Sequence, residues 1–130
     1  MKTRKKGLLG FSMALLMAAS FAVPAFANDH YDRQYSFIFS KNQNSTDFYY
    51  KEDSSPVYVR CVSASHQWFA NVWAGLHESD NMSMMASVSM TTGSEKFVSV
   101  PYNSQYVYGI IGEPTYWDSS AWGYWSPDSV

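Results

Sequence analysis

The chain has 130 residues, 46% of them hydrophobic and 18% aromatic, with nine basic residues against eleven acidic ones and one cysteine. This length supports one domain with a modest core, and Cys61, being alone, excludes an intramolecular disulfide. Four of the nine basic residues are Lys2, Arg4, Lys5 and Lys6; without them the remainder carries five against eleven, a net charge of −6, which disfavours both nucleic acid and charge-driven docking to an anionic membrane.

Those four cations precede an apolar run, residues 8–19, then Pro24 and the small-residue pattern Ala25-Phe26-Ala27. This is the pattern of a secretory signal peptide spanning 1–27 with cleavage after Ala27. A membrane anchor needs about 20 apolar residues, and Gly10, Ser12, Ser20 and Pro24 interrupt a run that is already short. The expected mature form is therefore extracellular, has no membrane span, and is a single domain over 28–130.

Taken in order, 33–40 alternates, with Tyr35, Phe37 and Phe39 on one side of a half-buried strand. Polar residues 41–46 read as loop. The sequons at Asn44 and Asn81 fall behind a leader of bacterial pattern, which argues against glycosylation. Phe48 to Lys51 and Val57 to Val62 read as two strands of a hairpin across the turn 52–56, where Pro56 fixes its own φ and biases Ser55 to extended geometry. Val57, Val59 and Cys61 should face the core.

Residues 67–76 fit both a strand and a helical i, i+4 pattern; strand is chosen because the neighbours are strand-like and Gly75 suits a short helix poorly. In 82–90, Met82, Met84, Ala86, Val88 and Met90 should face inward and the serines outward. Residues 91–95 read as a hairpin loop with Gly93 able to take a positive φ, followed by a strand at 97–100. The apolar run 105–111 reads as a central strand, and a last strand is expected near 122–125. Seven or eight short strands without a convincing helix predict an all-β fold, a small antiparallel β-sandwich.

Little in the sequence suggests catalysis. Cys61 and His66 are separated by an interval that places them on opposite faces of a continuing strand, and no zinc-binding spacing is present. Cys61 reads as a small core residue, with a reactive thiol or intermolecular bridge as the alternative. No cofactor is expected. Cleavage after Ala27 would place the new amine of Asn28, two backbone amides and the His30 imidazole together, a set of four nitrogens suited to Cu(II) or Ni(II). Exposed aromatics offer a second kind of site, since rings on a β-sandwich stack on sugars or fill a partner's pocket. The candidates are Trp117, Trp122, Tyr124, Trp125, Tyr49 and Tyr58.

The segment Tyr50-Lys-Glu-Asp-Ser-Ser-Pro-Val-Tyr-Val-Arg60, with the closing Gly123-Tyr-Trp-Ser-Pro-Asp-Ser129, resembles a family of small exported proteins of Gram-positive bacteria. Its members pair a leader with a Lys-x-Asp-x-Ser-Ser-x-Tyr-Val segment and end in Gly-x-Trp-Ser-Pro-Asp-Ser. In size, leader and β-rich pattern that family is similar to the lactococcin-type β-sandwich bacteriocins. The resemblance covers most of the mature chain, and this chain departs from the pattern in its Met-rich strand and in Cys61. The resemblance implies a bacteriocin-like fold and export and transfers no catalytic residue; the expected protein is non-enzymatic and acts by surface recognition, bacteriocin-like, on a cell-envelope component or another protein. The alternative is a cell-wall or carbohydrate-binding module without catalytic activity.

Overall fold

A computed structural model describes residues 31–78 and 80–129. The leader, Asn28 and His30 lie outside the described residues. Eight strands are present among them: β1 (Arg33–Ile38), β2 (Tyr49–Tyr50), β3 (Val57–Ala64), β4 (Trp68–Leu76), β5 (Ser83–Met90), β6 (Glu95–Val98), β7 (Tyr106–Pro114) and β8 (Ser120–Ser126). Among the described residues the one helical element is a 3-10 turn at Phe39–Lys41. All pairings are antiparallel. The first sheet has the order β1-β8-β3-β6 and the second β2-β7-β4-β5.

The two inner faces form one core, as period-2 alternation requires. Tyr35, Phe37 and Phe39 from the first strand and the turn after it lie against Trp68 of the second sheet, with ring centroids 5.6–6.1 Å apart. Val57, Val59 and Cys61 are fully buried, as their alternation predicts. So are Trp68, Ala70 and Val72 of β4, which settles 67–76 as strand. The run at 105–111 is the interior strand β7, extending to Pro114, and the last strand β8 is interior to the first sheet.

Three expectations are corrected. The segments 48–51 and 57–62 do not form a hairpin: β2 pairs with β7 and β3 with β6 and β8, so the turn carries the chain from one sheet to the other. Likewise Gly93 has φ +88, but the turn it serves joins β5 of the second sheet to β6 of the first. The inward set at 82–90 is also different. A bulge leaves Met85 as an extra residue between the Val72–Ala86 and Trp73–Met84 pairs. It turns Met85 against the core and Met84 outward, where it is exposed.

The outer face of the second sheet is covered partly by its own chain. A Cβ at Gly109 would lie 2.5 Å from the Phe48 ring, and one at Gly75 2.6 Å from Met82 Sδ. The missing side chains are what let these two residues lie on the sheet.

Candidate recognition face and interior clasp

Alternation along β8 divides the aromatic candidates. Ala121, Gly123 and Trp125 point inward, and Trp122 and Tyr124 outward. On β3 the outward positions are Tyr58 and Arg60, and a bulge at Val62 turns Ser63 outward as well, opposite Trp122. Across the β3–β6 ladder Tyr58 faces Phe97, with ring centroids 5.3 Å apart, and Arg60 faces Glu95. Trp122 and Tyr124 meet edge to face at 6.0 Å. The result is a row of aromatics on one sheet face, Trp122 and Tyr124 on β8, Tyr58 on β3 and Phe97 on β6, flanked by Gln34, Ser36 and Ser63.

Of the six residues chosen from the sequence, the structure brings Trp122, Tyr124 and Tyr58 onto this face. Trp117 is exposed in the turn between β7 and β8, beside Tyr116, which stacks on His66 at 4.4 Å. Trp125 is corrected: it is a core residue, 1% exposed, because it occupies an inward position of an interior strand. Tyr49 also packs on the core, with the Arg33 guanidinium 3.8 Å above its ring. Phe97, 60% exposed, was not among the candidates. Its outward position could have been read from its place one residue before Val98, which is buried.

The Tyr58 hydroxyl donates to Glu95 Oε2 at 2.7 Å. Desolvation, then the Glu95 hydrogen bond and charge, push the phenol up to about 12. Tyr58 therefore stays protonated and acts as a hydrogen-bond donor across the neutral range.

A second cluster joins the segments 51–55 and 126–129. Lys51 follows β2 of the second sheet and Asp128 follows β8 of the first; their side chains are fully buried and meet at 2.9 Å. The ammonium has three N–H groups, and it donates to Asp128 Oδ1 and to the carbonyls of Ser55 and Pro127. Asp128 Oδ2 accepts the Glu52 N–H at 2.8 Å, and the Ser129 N–H donates to Ser55 Oγ at 3.1 Å. Asp53 accepts from both the N–H and the hydroxyl of Ser55. Desolvation opposes its charged form, but those bonds outweigh it and hold its carboxyl below the ordinary carboxylate range. The charges are thus consumed internally, and the arrangement is a clasp between the sheets.

Cys61 is buried while His66 is exposed, so they form no nucleophile–base pair. The Tyr35 hydroxyl caps the region above Cys61, donating to the Arg60 carbonyl at 2.8 Å. Among the described residues no group of three or more His, Cys, Asp or Glu is placed to hold a metal, and no helix is long and apolar enough to cross a membrane. Comparison with protein-family models, curated proteins and solved structures finds no match for this chain. The fold and the face define its class: a two-sheet antiparallel β-sandwich with a solvent-facing aromatic row.

Proposed function

We propose that the protein is exported, loses its leader after Ala27, and acts without catalysis by recognising a partner through the outer face of the first sheet, in a bacteriocin-like role. The observation that carries this reading is the aromatic row itself. Phe97 and Trp122 are exposed, Tyr58 and Tyr124 are half-buried, and all four project from the outer face of one sheet. Aromatics anchored on strands lose little conformational freedom on binding and are the residues that dominate interface energies.

The second reading, a wall-polymer or carbohydrate-binding module, is favoured by the neighbours of Trp122 on this face. Ser36 and Ser63 flank it on the adjacent strands, offering hydroxyls beside a ring on which a sugar can stack. The two readings separate in one set of assays on the purified exported protein. A bacteriocin-like protein inhibits growth of related strains; a wall module sediments with purified peptidoglycan and inhibits nothing. In either case Trp122→Ala with Tyr124→Ala should remove the activity and leave the fold intact. Absence of both activities in the wild type would refute both readings.

A further inference from the structure

A β-sheet edge presents unpaired backbone groups, and folded proteins shorten, charge or cover such edges. Three of the four edges here follow that rule. Strand β6 is four residues long and carries Glu95 and Lys96. Strand β1 contains Arg33, and its far end is closed by backbone hydrogen bonds between Ile38 and Gln43. Strand β2 has two residues, and beyond it the chain at 44–46 bonds to β7: Gly112 N–H donates to the Asn44 carbonyl and Thr46 N–H to the Ile110 carbonyl.

Strand β5 differs. It is eight residues long, Ser-Met-Met-Ala-Ser-Val-Ser-Met, with no charge and no proline, and among the described residues it pairs only with β4. The hydroxyls of Ser87 and Ser89 bond back to Asn71 and Gln67 on the β4 side, so they do not obstruct the edge. Met85, Ala86 and Val88 pack on the core but are only half-buried, whereas their neighbours Ala70 and Val72 on β4 are completely buried. Among the described residues the sandwich is open along this line.

We propose that the free edge of β5 accepts, as a fifth strand of the second sheet, an extended segment of a partner protein that alternates apolar with small polar residues and is basic at the end that meets the start of β5. Main-chain hydrogen bonds would supply the affinity and the half-buried Met85, Ala86 and Val88 the selection for apolar side chains on one face. The basic end follows from the charges around the strand. Exposed Glu78 and Asp80 precede it, whereas the turn 91–94 after it is uncharged and Glu95 is engaged by Tyr58 and faces Arg60 on the other sheet. A second copy fits less well, since pairing antiparallel would set Glu78 and Asp80 against the other copy's turn 91–94, which offers no cation to meet them.

The probe is an end-blocked peptide of alternating valine and serine with a lysine at each end, added to the protein as exported by an expressing bacterium. The expected result is slowed hydrogen exchange of β5 amides on the wild type, with β6 amides unchanged. Ser87→Lys should weaken binding by about tenfold or more by placing a cation on the edge, and Trp122→Ala should not alter it. A peptide ending in glutamates should bind less tightly, the difference shrinking with added salt. Unchanged β5 exchange at saturating peptide, or equal binding by Ser87→Lys, would overturn the proposal. So would sedimentation showing that the wild type is already a dimer that Ser87→Lys converts to monomer.

Discussion

Replacing Asp128 by asparagine keeps the shape of the clasp and removes one charge, leaving the Lys51 ammonium fully buried with only neutral acceptors. Breaking a buried pair on one side costs about 3–5 kcal/mol, because the surviving charge has been taken out of water without compensation. A domain of this size has a total stability of roughly 5–15 kcal/mol, so the variant should lose a large fraction of it. For a domain of about 100 residues this corresponds to a fall in Tm of roughly 15 °C or more. Lys51→Met should act similarly, stranding an Asp128 carboxylate that keeps its Glu52 N–H.

The double variant Lys51→Met with Asp128→Leu should cost clearly less than the two single changes together, since replacing a whole buried pair by apolar side chains is often neutral. Denaturant unfolding followed by tryptophan fluorescence reads this directly, with the buried Trp68 and Trp125 as reporters. Additive single effects, or an Asp128→Asn cost below about 1 kcal/mol of the kind seen for solvent-screened surface pairs, would refute the reasoning.

Further outcomes follow from other contacts. Gly123→Ala would drive a Cβ into the Arg60 carbonyl oxygen and within 2.8 Å of the Tyr35 hydroxyl, both held by β-sheet packing; it should destabilise by about 3 kcal/mol or more in thermal melts. Cys61 should resist a thiol reagent in the native state and react only at the rate of unfolding, since it is buried beneath the core face of β3. Tyr58 has a folded pKa raised from an ordinary value near 10 to about 12. The folded state therefore holds a proton that the unfolded state gives up, and this contribution to stability is full below pH 10 and is lost as pH rises from 10 to 12. Glu95→Gln should lower the pH at which the Tyr58 tyrosinate absorbance appears; an unchanged titration would count against the Tyr58–Glu95 bond.

Period-2 patterning made most of the fold legible. The buried sets Tyr35, Phe37 and Phe39, and Val57, Val59 and Cys61, alternate in the sequence and occupy the core as that alternation requires. What patterning could not supply is which strand pairs with which. The turn at 52–56 carries hairpin chemistry yet crosses between sheets, because the pairing of β2 with β7 and β3 with β8 is decided by core packing at long sequence separation. The bulge at Met85 was hidden for a related reason: an extra residue inverts the faces before it and leaves no mark in composition.

The segments at Lys51–Ser55 and Ser126–Ser129 prove to be the two halves of the clasp, joined across 77 residues. Read singly, Lys51 and Asp128 look like solvated loop charges; only the fold places them together. In a domain without an intramolecular disulfide, such a link ties the segment after β2 to the end of β8. The aromatic row lies elsewhere, and three of its four residues were legible: Trp122, Tyr124 and Tyr58 by residue type, with Phe97 missed and Trp125 lost to the core by its strand phase.

The most direct test of the proposed function is to measure growth inhibition of related strains and sedimentation with peptidoglycan for the wild type and for the Trp122→Ala, Tyr124→Ala double variant, after matching their melting curves. The account predicts that the wild type shows one of the two activities and that the variant, equally folded, loses it. A variant that retains the full wild-type activity would contradict it.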